Sequence, residues 1–179
     1  MRKIIKFLSG IGGGGVDLQN LQLNELPDLS DVHVDCSFYC GFNNLTNLVG
    51  APKSVGGNFW CLKNNLTSLI GGPATVDVDY ICRSNDLTSL EGAPKIIPYT
   101  FNCAYNNLTS LIGAPETVGN NFYCNYNDLT SLEGIPKYIG YGEYFGDQGY
   151  FWISKELKDR FPEEYIRSLS VIRGKVIYF

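Results

Sequence analysis

Six cysteines and one histidine are the side chains of this 179-residue chain best suited to chemistry. His33, Cys36 and Cys40 lie close together, and one imidazole with two thiolates is most of a tetrahedral zinc set. No fourth ligand accompanies them, and the three alternate poorly across a strand, so no metal is expected. Cys40, Cys61, Cys82, Cys103 and Cys124 follow one another at steps of 21 residues. Stacked on neighbouring strands they would stand about 5 Å apart, within bridging distance. Their side chains would point in parallel, however, and five leave one over. The regular column makes each Cys a small buried hydrophobe instead, with free thiols that fit a reducing compartment. With a single His outside the regular blocks, acid–base catalysis has little to work with, and the chain is not expected to be an enzyme. Gly12 to Gly15 is no phosphate loop, since no Lys-Ser/Thr follows it. The Asn-Leu-Thr triplets at Asn44, Asn65 and Asn107 match glycosylation acceptors but arise from the repeat itself. No cofactor is expected.

The element that positions these cysteines is a repeat. The blocks they open read CGFNNLTNLVGAPKSVGGNFW, CLKNNLTSLIGGPATVDVDYI, CRSNDLTSLEGAPKIIPYTFN, CAYNNLTSLIGAPETVGNNFY and CNYNDLTSLEGIPKYIGYGEY. A fixed period near twenty marks a stacked solenoid, in which one unit cannot bury its own apolar side and neighbours must cover both of its flat faces. Each column then has a physical task. Phe59-x-Cys61, Tyr80-x-Cys82, Phe101-x-Cys103 and Phe122-x-Cys124 alternate with period two, so both named residues face inward on a strand. Three residues on come Asn43, Asn64, Asn85, Asn106 and Asn127. A buried carboxamide there satisfies main-chain groups that lose their ladder partners as the chain turns, which predicts an asparagine ladder. Two leucine columns follow, from Leu45 and Leu48, and then glycine (50, 71, 92, 113, 134) and proline (52, 73, 94, 115, 136). Glycine permits positive φ at the bend, and proline fixes the return segment. The Val55 to Ile139 column fills the far side of the core.

The string Phe59-x-Cys61-x-x-Asn64-x-Leu66 matches the leucine-rich-repeat core LxLxxNxL. Its Pro-containing return resembles the short bacterial class of leucine-rich repeats. The wording LTSLxGAPxxVGGxFxC is similar to repeat proteins of tailed-phage and bacterial genomes. The resemblance covers residues 18–153. It implies an α/β-type repeat solenoid, a right-handed arc with a parallel β-sheet on its concave face, little helix in the convex turns and a short helical C-terminal cap.

The ends carry worn units, as solenoids require. Leu23, Leu26 and the pair Val32 and Val34 suggest a degenerate first repeat in shifted register. After the fifth block Phe145 takes the Cys place, Gln148 the Asn place, and Tyr150 and Ile153 the two Leu places. Residues 1–17 are expected to be an N-terminal cap and Gly-rich link, 18–153 the solenoid with regular repeats over 40–144, and 154–179 a C-terminal cap. In that cap Ser154 starts a short helix with Leu157 and Phe161 on one face. A second begins at Pro162 with Tyr165, Ile166 and Leu169, and an edge strand closes from Gly174.

Net charge of −4 with no Lys/Arg cluster argues against a nucleic-acid partner. No apolar run reaches membrane-spanning length, and Lys6 interrupts an N-terminal apolar stretch already too short for a secretion signal. A cytoplasmic location is expected, that of the host cell if the protein is viral.

Function must then lie in the columns that vary. Residues flanking each inward Cys are expected to point outward: Tyr39, Trp60, Ile81, Tyr123 and Tyr144 before it, with Leu62 and Arg83 after it and Phe42, Lys63, Tyr105 and Tyr126 one further on. So many aromatics with so few charges is unusual for a solvent face, and Tyr, Trp and Arg are common interface anchors. The expectation is a non-enzymatic scaffold that binds a host or viral protein, with inhibition of that partner as one use of the binding. A structural role in a virion or its assembly is the main rival. Recognition of a glycan or nucleotide is a third reading.

Overall fold

The structure, a computed structural model, describes residues 15–141 and 149–179. The chain winds as a parallel β-solenoid of about seven turns with little helix. Its long sheet has eight strands in order: Val16–Asp17, Phe38–Tyr39, Phe59–Trp60, Tyr80–Ile81, Phe101–Asn102, Phe122–Tyr123, Phe151–Ile153 and Val176–Tyr178. Each pairs in parallel with the next, and in the regular repeats the register is one period, as in Phe59 against Tyr80 and Trp60 against Ile81. The first and second strands are 22 residues apart, Val16 against Phe38, so the worn first unit carries one extra residue. Leu23 and Leu26 take its leucine places, and Val34 pairs with Val55.

A second line of strands runs one corner away. It is split into a three-stranded sheet (His33–Val34, Ser54–Val55, Thr75–Val76) and a four-stranded one (Ile96–Ile97, Thr117–Val118, Tyr138–Ile139, Val171–Ile172). The split has a cause in the sequence. The residue after each strand of this line donates its N–H one rung back, Gly56 to Val34, Asp77 to Val55 and Gly119 to Ile97. At the corresponding place between the two sheets stands Pro98, which has no N–H to give.

The core is a set of stacked columns. Phe38, Phe59, Tyr80, Phe101, Phe122 and Phe151 are fully buried, with neighbouring ring centroids 5.0 to 5.9 Å apart. The cysteine column and both leucine columns lie beside them, and the bend glycines have the expected positive φ, between 85° and 97°. At Gly92 an added Cβ would stand 2.4 Å from the main chain of Leu69 and Ile70, so no larger residue fits there. Tyr80 is the one tyrosine in the ring column. Its hydroxyl lies 2.9 Å from where a Cβ on Gly72 would be, and Gly72 replaces the alanine found there in neighbouring repeats. The two departures from consensus accommodate each other.

The asparagine ladder forms as expected. Asn85 Nδ2 donates to the carbonyls of Cys61 and Cys82 at 3.1 and 3.0 Å, and its Oδ1 accepts from the amides of Asn64 and Leu66 at 3.2 and 3.1 Å. Asn43, Asn64, Asn106 and Asn127 make corresponding bonds to the carbonyls one rung back and three residues back, as Asn64 does to Cys40 and Cys61.

The register after the fifth repeat differs from the expected one. Phe151 pairs with Phe122 and Trp152 with Tyr123, so this rung is 29 residues long and Ile153 occupies the Cys column rather than a Leu place. Phe145 and Gln148 lie outside the described residues, as do residues 1–14. Ser154 stands at the N-cap of a 3-10 turn, as expected, but its side chain makes no cap bond. It is fully buried, and its Oγ accepts the Tyr126 amide at 2.5 Å, in the place where earlier rungs offer a backbone carbonyl. A 3-10 turn, Lys155–Leu157, precedes an α-helix, Glu163–Leu169. Ile166 is buried in that helix, whereas Tyr165 and Leu169 stay exposed. Val176–Tyr178 then closes the long sheet.

Candidate binding face

The outer face of the long sheet is built by period two. With Phe59 and Cys61 turned inward, the residue between them must turn out, and Tyr39, Trp60, Ile81, Asn102 and Tyr123 form a half-buried outward column. The residue after Cys does not extend that face. Leu62, expected outward, is only 6% exposed, because the strand has ended and its side chain lies across Gly41 of the previous rung. Arg83 in the same column is half-buried.

The next column turns sharply. Phe42, Lys63, Ser84, Tyr105 and Tyr126 all have φ between 52° and 58°, a left-handed conformation shared in the first turn by Asn20. Such a backbone costs a non-glycine residue about 1–2 kcal/mol. It swings these side chains clear of the sheet, so Phe42, Tyr105 and Tyr126 are 40%, 48% and 42% exposed.

The aromatics group into two pads. In the first, the Tyr39 and Trp60 rings meet at 4.9 Å and Lys63 Nζ sits 5.0 Å over the Phe42 ring. In the second, Tyr105 stacks on Tyr126 at 4.4 Å and Tyr123 on Trp152 at 5.3 Å, while Phe179 meets both Tyr126 and Trp152 edge-on. Trp60 and Tyr123 are three strands apart, about 14 Å. The indole Nε1 groups of Trp60 and Trp152 are shielded from solvent and meet no acceptor among the described residues. Tyr144 lies outside the described residues, and the outward place beside Tyr123 belongs to Trp152.

Trp152 and Phe179 were not on the expected face. Phe151-Trp152-Ile153 carries the same inward-outward-inward pattern as Phe59-Trp60-Cys61, and eight extra residues before it hide the correspondence. The left-handed column had no signal in residue type, since Phe, Lys, Ser and Tyr are not turn formers that demand such a backbone.

A polar ladder flanks the start of the strands. Asn58 Oδ1 accepts the Asp79 amide at 3.2 Å, Asp79 Oδ1 the Thr100 amide at 3.0 Å, and Asn121 Oδ1 the Tyr150 amide at 3.0 Å. Burial raises the Asp79 carboxyl above its ordinary range, against the opposing pull of its hydrogen bonds from Thr100. Desolvation, with the Asp79 charge second, also raises the Tyr123 hydroxyl. A carboxyl whose folded pKa lies above its unfolded value loses stability as pH rises through the folded value. Asp79→Asn, which keeps the acceptor and matches Asn58 and Asn121, is therefore expected to stabilise the protein at pH 7. Discounted for solvent screening at this half-exposed site, the gain is about 0.5 kcal/mol, or about 1–2 °C in Tm. Thermal melts at pH 7 and pH 3 check it: the gain should vanish at the lower pH, where Asp79 is protonated in both states.

The five thiols of the repeat column are turned into the core. Cys40, Cys61, Cys82, Cys103 and Cys124 are buried free thiols whose pKa values burial pushes far up, and Cys103 and Cys124 donate S–H bonds to the carbonyls of Tyr123 and Trp152. A thiol held protonated this way is a poor nucleophile. His33 is in the three-stranded sheet, bonded to Ser54 and 3.1 Å from Asp35, while Cys40 faces the core. Among the described residues no group of three or more His, Cys, Asp or Glu is placed to hold a metal. No helix among them is long and apolar enough to cross a membrane. Comparison with protein-family models, with curated proteins and with solved structures finds no match.

Proposed function

We propose that this solenoid is a non-enzymatic scaffold of the leucine-rich-repeat type that holds a protein partner on the aromatic face of its long sheet. In this reading that face is the concave one of a right-handed arc. The observation that carries the proposal is the left-handed column. Asn20 shows the less costly choice for such a backbone, yet later rungs place Phe42, Tyr105 and Tyr126 there and leave them exposed. Stacking of Tyr105 on Tyr126 returns about 0.5–1.5 kcal/mol, less than two left-handed residues cost at about 1–2 kcal/mol each. The stack does not use the ring surface that Phe42, Tyr105 and Tyr126 leave in solvent, and a partner that covers that surface would gain from it.

Ring orientation favours a protein over a sugar or a base. Tyr105 with Tyr126, and Tyr123 with Trp152, each cover one ring face of the other, which leaves less open face for stacking a ligand. Stacking recognition of bases needs open faces, whereas amphipathic edges are what Tyr-rich protein-binding surfaces present. The resemblance of the repeat wording to phage and bacterial chains supports a host or viral protein as the partner and the host cytoplasm as the place of action.

The test is affinity capture from the native host with mass spectrometry, run in parallel on the wild type and on Trp60→Asp/Tyr123→Asp. Both positions are half-exposed, so the double variant should keep its circular dichroism spectrum while the specifically retained protein falls at least about tenfold, the loss for one or two interface anchors. Equal retention by the folded variant would overturn the proposal.

A further inference from the structure

The two aromatic pads lie on opposite sides of an interruption in the fold. Four strands of the long sheet, Val16–Asp17 through Tyr80–Ile81, share turns with the three-stranded sheet, and the other four, Phe101–Asn102 through Val176–Tyr178, with the four-stranded sheet. Trp60 and Tyr39 belong to the first block, Tyr123 and Trp152 to the second. Ile81 and Asn102, the two non-aromatic places between the pads, are the rungs that meet at the boundary.

Bonding at that boundary is uneven: the asparagine turn is intact, with Leu87 N donating to Asn106 Oδ1 at 3.1 Å and Asn107 N to the Leu87 carbonyl at 3.0 Å. On the long sheet it is complete: Tyr80 donates to Thr100 at 2.9 Å, Cys82 to Asn102 at 2.9 Å, and Thr100 to the Asp79 carboxylate. On the second line it is broken. Pro98 has no N–H to donate to Val76, where Gly119, one rung on, donates to Ile97 at 2.8 Å. The companion bond is missing too: Ala74 donates to Lys53 and Glu116 to Lys95, but among the described residues Lys95 makes no such bond to Ala74.

In a repeat array each interface contributes its own nearest-neighbour term, so one that lacks two bonds made at the same place in the adjoining rungs is weaker there than they are. We infer that the solenoid is two blocks joined at a seam opposite Pro98, hinged on the unbroken long sheet, and that opening the seam changes the spacing of the two aromatic pads. The partner site is then bipartite. It takes an elongated protein segment that lies along the solenoid axis, with one apolar anchor on each pad. The seam stands on backbone geometry alone. The partner's form rests on the function proposed above.

The chain carries one Trp in each block, which makes the seam directly measurable. Trp152→Phe leaves Trp60 to report the first block, and Trp60→Phe leaves Trp152 to report the second. Urea unfolding of the full chain followed by fluorescence should give separate midpoints for the two single-Trp proteins. Adding Pro98→Gly restores the N–H and should bring the midpoints together. Pro98→Asp, which copies the residue that Asp77 supplies one rung earlier, is the second variant should glycine loosen the turn. Hydrogen exchange should show the Lys95 and Ile96 amides about tenfold faster than those of Glu116 and Thr117, the factor for about one main-chain hydrogen bond. Coincident midpoints with equal exchange at the two places would overturn the seam. Neither readout needs the partner, so failure here leaves the binding face standing, and failure of partner capture leaves the seam.

Discussion

Asn85→Ala is expected to destabilise the protein by about 3 kcal/mol, more than any exposed substitution, because one carboxamide serves four main-chain groups. It removes the acceptor of the Asn64 and Leu66 amides and the donor to the Cys61 and Cys82 carbonyls, at a residue 8% exposed. A buried donor left without a partner costs about 1–3 kcal/mol, and two are created here along with two under-satisfied carbonyls. Asn85 is also the middle rung of its ladder, so the loss falls on both neighbouring interfaces rather than on a fraying end. For a chain of this size the melting temperature should fall by about 6–12 °C. Asp86→Ala is the control. The side chain next along is exposed, and its removal should change stability by no more than about 0.5 kcal/mol. Thermal or urea melts of the two variants check the contrast.

Phe101→Ala should cost about 3–5 kcal/mol, the usual range for emptying a fully buried ring site. Phe101 has no exposed surface and lies between Tyr80 at 5.6 Å and Phe122 at 5.7 Å, with the Phe122 ring plane tilted only 9° from its own. Main chain locked in two ladders cannot collapse into the space, so most of the cavity should persist. The informative comparison is Tyr105→Ala, four residues on and outside. It gives up a stack of about 0.5–1.5 kcal/mol in a position that is strained with either residue. Urea midpoints should therefore shift several-fold more for the inner ring than for the outer one. A comparable loss at Tyr105 would mean that the outer aromatics are part of what holds the fold together.

Much of this was legible in the sequence because the repeat states each column five times. Period two put Phe101 and Cys103 inside. The carboxamide at Asn85, three residues after an inward Cys, forecast its ladder, and glycine at 92 forecast a positive φ. What was not legible depended on register and backbone twist. Trp152 was hidden by an insertion that displaced its rung by eight residues, so counting in steps of 21 put Ile153 in the wrong column. Leu62 was placed outward because strand alternation was carried one residue too far, past the point where the chain bends at Lys63. That bend comes from the asparagine pulling the loop inward, not from Lys63 itself, so no residue-type signal marks it. Pro98 was visible from the start, but only the register of its neighbours' bonds gives its missing N–H a consequence.

Side-chain footprinting tests the central claim most directly, because it separates a partner on the aromatic face from one held at the ends or the opposite side. Hydroxyl radicals modify exposed aromatic rings, and this protein has them on both sides: Phe42, Tyr105 and Tyr126 beside the long sheet, Tyr138 on the four-stranded sheet and Tyr165 on the helix. In the complex with the captured partner, Phe42, Tyr105 and Tyr126 should lose most of their reactivity while Tyr138 and Tyr165 keep theirs. Protection of Tyr138 and Tyr165 with the other three unchanged would contradict the binding face and point to a molecule held by its edges, as an assembly component would be.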